Sequence, residues 1–132
     1  MGQLRLIDAN LNRLKEGVRV VEEIARFIFN NANLSKKLKT IRHKARITNL
    51  LEALQEREVI GDVLRAPKEE NKATLEAIAI ANFKRAEESA RVLEEFSKLS
   101  ENAERFKAIR YEIYDLEKEF FALLAINTSN SK

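Results

Sequence analysis

The chain has 132 residues, of which 45% are apolar and 34% charged, and its 24 basic and 21 acidic side chains leave a formal net charge of +3. This length holds one domain, the composition excludes wholesale disorder, and the near-balanced charge makes no case for nucleic acid. There is no Cys, so disulfides and zinc-thiolate sites are excluded; no apolar run is long enough to cross a membrane and nothing near the N-terminus resembles a signal peptide, so a cytoplasmic location is expected.

Residues 4–29 read as one helix, because Leu11, Leu14, Val18, Val21, Ile24, Ala25 and Ile28 recur on one face. Asp8 is a candidate cap or first-turn acid if that helix starts late. Asn30-Asn31-Ala32-Asn33 reads as a break, since Asn tolerates the left-handed conformation that ends helices. Ser35 is a candidate cap for a second helix to about Glu56, with Leu38, Ile41, Ala45, Ile47, Leu51 and Leu54 on its apolar stripe. Residues 57–71 carry one Gly and the only Pro and read as an irregular loop. A third helix is expected from about Glu69 or Lys72 to Leu99. Ser100 is the expected cap of a fourth, using Phe106, Ile109, Ile113, Leu116, Phe120 and Leu123, and Asn127 to Lys132 reads as a frayed tail.

The stretch from Asn10 recurs 72 positions later. Asn10, Arg13, Glu16, Arg19, Val20, Glu22 and Glu23 meet identical residues at Asn82, Arg85, Glu88, Arg91, Val92, Glu94 and Glu95. More weakly, Lys39-Thr40-Ile41-Arg42 matches Lys107-Ala108-Ile109-Arg110 at an offset of 68. The expected fold is therefore all-α: a bundle of about four long helices, built as two repeated hairpins (about 4–56 and 72–126) with pseudo-two-fold symmetry, in a single domain over 1–132.

On a helical wheel Asn10 falls within the apolar arc and Arg13 on its flank, beside Gly17, and Asn82 and Arg85 occupy the same places beside Ser89. Polar groups there are costly unless paired. Two readings follow. In one, Arg13 binds Glu88 and Arg85 binds Glu16 across the bundle, fixing helix register. In the other, two Arg–Asn forks point into a shared cleft, where guanidinium groups recognise phosphate or carboxylate in bidentate fashion. Gly17 and Ser89 are small enough to allow close helix approach. Arg19, Glu22, Glu23 and Arg26 are expected to face water or other chains as a salt-bridge ladder. Glu16 and Glu88, nearest the arginines, are candidate ligand or metal contacts. Asp62, after Gly61 in the loop, is a candidate magnesium ligand, or simply a turn former. His43 is the only His, and a lone His is a structural or surface residue more often than a catalyst. No glycine-rich phosphate cradle and no nucleophile–base–orienter trio is present.

The run Arg5, Asp8-Ala9-Asn10-Leu11-Asn12-Arg13, Glu16-Gly17, Arg19, Glu22 resembles the small all-helical hydroxymethylpyrimidine-phosphate kinases of bacterial thiamin synthesis, which occur alone or fused ahead of thiamin-phosphate synthase. Further similarity lies in Arg42-His43, in Arg57 with Gly61-Asp62-Val63, in Asn82-Phe83, Arg85, Glu88 and Arg91 to Glu95, and in Arg110-Tyr111 with Tyr114, Leu116 and Glu117. The family loop R-D-x-x-G-D-V-G is altered here by Glu58 and Leu64. With no synthase in the sequence, the standalone form is expected. The resemblance implies ATP-dependent phosphorylation of 4-amino-5-hydroxymethyl-2-methylpyrimidine phosphate to its diphosphate, with ATP and Mg²⁺ as cofactors. Placed on that chemistry, Arg13, Arg85 and Arg57 would clamp phosphates, and Asp62, Glu16 or Glu88 would hold Mg²⁺. Asn10 and Asn82 would hydrogen-bond the aminopyrimidine or orient the arginines, and Arg42, His43 and Arg110 are further substrate-binding candidates. A small pyrimidine phosphate is the expected partner, without nucleic acid or membrane. A homodimer or higher homo-oligomer is expected from the large apolar helix surface. The rival readings are a non-catalytic helical interaction module and a chorismate-mutase-like enzyme whose buried arginines bind a dianion.

Overall fold

A computed structural model of the chain describes residues 2–47, 74–100 and 102–130. The loop 57–71, and with it Arg57 and Asp62, lies outside the described residues, as does the expected helix from 48 to 56. The described residues form α1 (Gly2–Glu23), continued by a π-helical turn Ile24–Ile28, then α2 (Ala32–Lys44), α3 (Leu75–Phe96), continued by a 3₁₀ turn Ser97–Leu99, and α4 (Ala103–Asn130). Among the described residues there is no strand, and the all-α bundle of four helices expected from periodicity is what forms.

Local chemistry places the helix ends. The π turn closes with the Phe29 amide donating to the Ile24 carbonyl at 3.0 Å, and Asn30 follows at φ 51°, a left-handed conformation that Asn tolerates. Asn31, rather than Ser35, then caps α2: its Oδ1 accepts from the Leu34 amide at 2.8 Å, and Ser35 is buried one turn inside. The first described turn after α2 is non-helical, because Ala45 leaves the helix at ψ 83°; the helix therefore stops at Lys44, well short of Glu56. Arg42, His43 and Lys44 suit that C-terminal end of the helix dipole. Thr74 caps α3 by accepting from the Ala77 amide at 3.0 Å. Ser100, expected to open the fourth helix, instead closes the 3₁₀ turn by donating through its amide and its hydroxyl to the Ser97 carbonyl. α4 begins at Ala103 and runs through the expected frayed tail to Asn130. Asp8 is no cap either: α1 starts at Gly2, so Asp8 lies two turns inside it and is buried.

α1 packs on α2 and α3, and α4 packs on α3 and α2, so the helices close a ring around one core. That core takes Leu11, Leu14, Val18 and Val21 from α1, Leu34, Leu38 and Ile41 from α2, Phe83 and Leu93 from α3, and Phe106, Ile109, Ile113 and Phe120 from α4. Each such Leu or Phe contributes about 1.5–3 kcal/mol when fully buried. Phe120 sits between Phe29 (4.9 Å between ring centroids) and Phe83 (5.2 Å), so the π turn delivers Phe29 onto the core.

One bidentate ion pair ties each hairpin. Arg42 grips Glu22 between α1 and α2 through Nε (2.7 Å) and Nη2 (3.3 Å). Arg110 grips Glu94 between α3 and α4 in the same way, at 2.8 and 3.5 Å. The pairs are repeat equivalents, and each carboxylate raises the affinity of its guanidinium for the proton by hydrogen bonding. Glu22, expected to face water, is only 4% exposed. Its burial is tolerable because a bidentate cation satisfies it. The exposed ladder does form further round, as Arg19–Glu23 (2.9 Å) and its equivalent Arg91–Glu95 (3.1 Å).

α1 and α3 come together at Gly17. A Cβ there would lie 2.7 Å from the Asn82 carbonyl oxygen and 3.3 Å from the Ala86 nitrogen, both backbone atoms. Ser89, the repeat equivalent of Gly17, is buried as well. Between α3 and α4 two carboxyl groups meet: Glu87, buried, and Glu117, partly buried, with Lys84 at 3.1 Å from the first and 3.9 Å from the second. Burial, then the hydrogen bond and charge of Glu87, push the Glu117 carboxyl up to about 7.

Gly17→Ala gains about 1 kcal/mol of helix propensity but drives Cβ into backbone that cannot rotate away, at about 1–3 kcal/mol. A net loss of thermal stability is expected, with Gly2→Ala, where a Cβ meets nothing within 4 Å, as the control. For Glu117 the folded state holds the proton more tightly than the unfolded chain. Its contribution to stability is therefore full below about pH 4.5 and is lost as pH rises through 7. Melting temperatures measured from pH 4.5 to 8 should fall more steeply for the wild type than for Glu117→Gln; parallel curves would show that this carboxyl is not the proton acceptor.

Candidate functional site

The repeated polar residues separate into two sets. The duplicated asparagines do the same thing in each half: each is buried, and each donates from Nδ2 to the carbonyl four residues earlier, Asn10 to Leu6 (2.9 Å) and Asn82 to Ile78 (2.8 Å). They are thus held on their own helix and not bonded to the arginines. The Asn82 Oδ1 is buried without a partner among the described residues. A buried acceptor left bare costs about 1–3 kcal/mol, and Asn82 does not line the cleft between α1 and α3.

The duplicated arginines stand over the junction of α1 and α3. A cleft of about 500 Å³ opens there, lined by Asn10 and Arg13 of α1 and by Ala81, Lys84, Arg85, Glu88, Ser89 and Val92 of α3. Arg13 and Arg85 are exposed, and among the described residues neither has an ion-pair or hydrogen-bond partner. The register network Arg13–Glu88 and Arg85–Glu16 is not formed. The role of fixing register has passed to Arg42–Glu22 and Arg110–Glu94. What remains in the cleft is a set of guanidinium groups with free donors, at the closest approach of two helices.

Arg42 and Arg110 are not among the residues lining the cleft. They are spent on the hairpin ion pairs, with Arg110 also stacked on Tyr111 and Tyr114 at 4.9 and 5.9 Å. His43 is exposed in the last turn of α2 and does not line the cleft. Glu88 lines the cleft, whereas Glu16 is exposed outside its lining. Among the described residues no three His, Asp or Glu side chains gather as a metal site. Glu88 can supply one carboxylate to a hard cation, and such a cation takes its other ligands from water and phosphate. Arg57 and Asp62 lie outside the described residues.

Sequence reasoning missed Lys84. The signal was present in the repeat, since Lys84 stands where the first half has Asn12, and Glu87 where it has Lys15. A smaller hollow of about 300 Å³, lined by Lys37, Thr40, Glu112, Asp115 and Leu116, contains none of the residues the repeat duplicates at the cleft. No helix among the described residues is long and apolar enough to cross a membrane.

Comparison with known proteins bears on this arrangement. Residues 5–119 match the model of the ThiD2 family. The chain is 42% identical over 118 residues to a protein of Nostoc punctiforme named thiamine-phosphate synthase, covering 86% of this chain and 34% of that one. Proteins of the same name from Thermosynechococcus vestitus (40% over 119 residues, 86% and 34% covered) and Rhodopirellula baltica (37% over 125 residues, 88% and 33% covered) are similar in the same way. The chain thus spans about a third of the length of these curated relatives. No solved structure matches it. With the family match extending from the first turns of α1 to the last third of α4, the chain belongs to the ThiD2 family.

Proposed function

We propose that the protein is a kinase of thiamin biosynthesis, which uses ATP and Mg²⁺ to convert 4-amino-5-hydroxymethyl-2-methylpyrimidine phosphate to its diphosphate. The observation that carries this reading is the pair of unpartnered arginines, Arg13 and Arg85, brought into one cleft by two halves of a repeat. The relatives' printed name supports the pathway, and it accords with a kinase type that also occurs fused to thiamin-phosphate synthase.

The chemistry asks little of the protein beyond placement. The attacking group is a phosphate oxygen that is already anionic, so no strong base is required, and two like-charged substrates must be held together. Arg13 and Arg85 supply planar donors that offset this repulsion and the charge of the transferring phosphoryl group. Glu88 is the cleft carboxylate that would hold Mg²⁺, which supplies charge neutralisation at the donor phosphates, and Asp62 is assigned the same duty by resemblance. Asn10, on the cleft wall, is suited to the amino group of the pyrimidine, whereas Asn82 is buried and does not line the cleft. Arg57 is assigned as a third phosphate contact by resemblance alone.

Incubation with ATP, Mg²⁺ and the pyrimidine monophosphate should yield ADP and the diphosphate; folded protein that forms no ADP above background would sink the proposal. Arg13→Lys and Arg85→Lys keep the charge but lose the fork, so each should lower kcat/KM by roughly 10- to 100-fold with an unchanged melting temperature. Near-normal kinetics in both would refute the clamp.

A further inference from the structure

Resting on the reading above, we propose that Lys84 is a third phosphate-binding cation of this cleft, that Glu87 is its positioning residue, and that this pair makes the α3 side of the cleft the more strongly cationic. Lys84 lines the cleft beside Arg85 and faces Arg13 across it. Its side chain is 57% exposed, yet its ammonium is tethered at 3.1 Å to Oε1 of Glu87. This differs from an ordinary surface pair on a helix, because Glu87 is only 5% exposed and sits in the α3–α4 seam beside Glu117. A free lysine is mobile and loses much rotamer freedom on binding an anion, whereas a tethered one has already lost it. An ammonium carries three donors. One can stay on Glu87 while the others reach a phosphate, so the tether need not break on binding.

The repeat makes the assignment directional. Asn10 and Asn82, Arg13 and Arg85, and Glu16 and Glu88 are identical across the halves, but Lys84 and Glu87 replace Asn12 and Lys15. The α3 side of the cleft therefore carries an extra cation with a buried anchor, while Asn12, the equivalent position of α1, does not line the cleft. Two phosphate-bearing ligands of unequal charge would sort accordingly, the more highly charged polyphosphate lying on the Lys84 side.

The test is binding of inorganic pyrophosphate and of inorganic phosphate, measured calorimetrically without catalysis. Lys84→Gln should weaken pyrophosphate binding about tenfold and phosphate binding less, with most of the loss recovered in Lys84→Arg and none seen in Asn12→Ala. Glu87→Gln separates positioning from bulk charge. Removing a negative charge beside the cleft should by itself tighten anion binding, whereas loss of the anchor should weaken it about threefold. Wild-type pyrophosphate affinity in Lys84→Gln, or tighter binding in Glu87→Gln, would overturn the inference while leaving the kinase reading intact, provided Arg13→Gln and Arg85→Gln still lose affinity. If those variants also bind normally, the cleft is not an anion site and both proposals fall.

Discussion

The contact on which the rest depends is the backbone-to-backbone approach of α1 and α3 at Gly17. With no side chain at that position, the Asn82 carbonyl and the Ala86 amide come within the space a Cβ would fill. Arg13 stands one turn before Gly17 on α1, and Arg85 lies between the contact residues Asn82 and Ala86 on α3. Because the helices touch there, these side chains reach one volume instead of two separate surfaces. A bulkier residue at 17 would part the helices and divide the cleft, even with every cleft residue intact.

Solvation explains why the duplicated charges divide as they do. Glu22 and Glu94 are buried at the seam of each hairpin, where an unpaired carboxylate would be prohibitively expensive, and each is held in bidentate fashion by an arginine from the next helix. Arg13 and Arg85 are exposed, so water satisfies them and no internal partner is needed. The same physics that locks one set of arginines into the architecture leaves the other set available. The hairpin arginines are spent on buried carboxylates, and among the described residues the cleft arginines are not.

Symmetry in this molecule is close but incomplete. The paired asparagines bond their own helices alike, the hairpin ion pairs correspond, and the exposed ladders correspond. The symmetry fails at the cleft, which Asn10 and Glu88 line while their equivalents Asn82 and Glu16 do not, and at the seam of α3 and α4, where Lys84, Glu87 and Glu117 meet.

The sequence by itself determined the class of fold and the residues of interest. Apolar periodicity fixes which face of each helix is buried, and that depends only on spacing along a helix; Leu11, Leu14, Val18, Phe106, Ile109 and Ile113 all lie where their period put them. The repeat singled out Asn10, Arg13, Asn82 and Arg85, and the small size of Gly17 foretold close approach. Helix ends were read less well. Asn31 and Ser35 are equally good caps in isolation, and the choice between them was made by Phe29 and Leu34 finding the core. What only the tertiary structure decided was pairing. Arg13, Arg42, Arg85 and Arg110 are chemically identical, and nothing along the chain says which will meet a buried carboxylate. Placing Glu22 opposite Arg42 and Glu94 opposite Arg110 assigned two of them to the scaffold and left two in the cleft. Lys84 lines the cleft from α3, and α4 adds Glu117 at 3.9 Å from it, a contact between distant segments that depends on how helices pack and not on what each one contains.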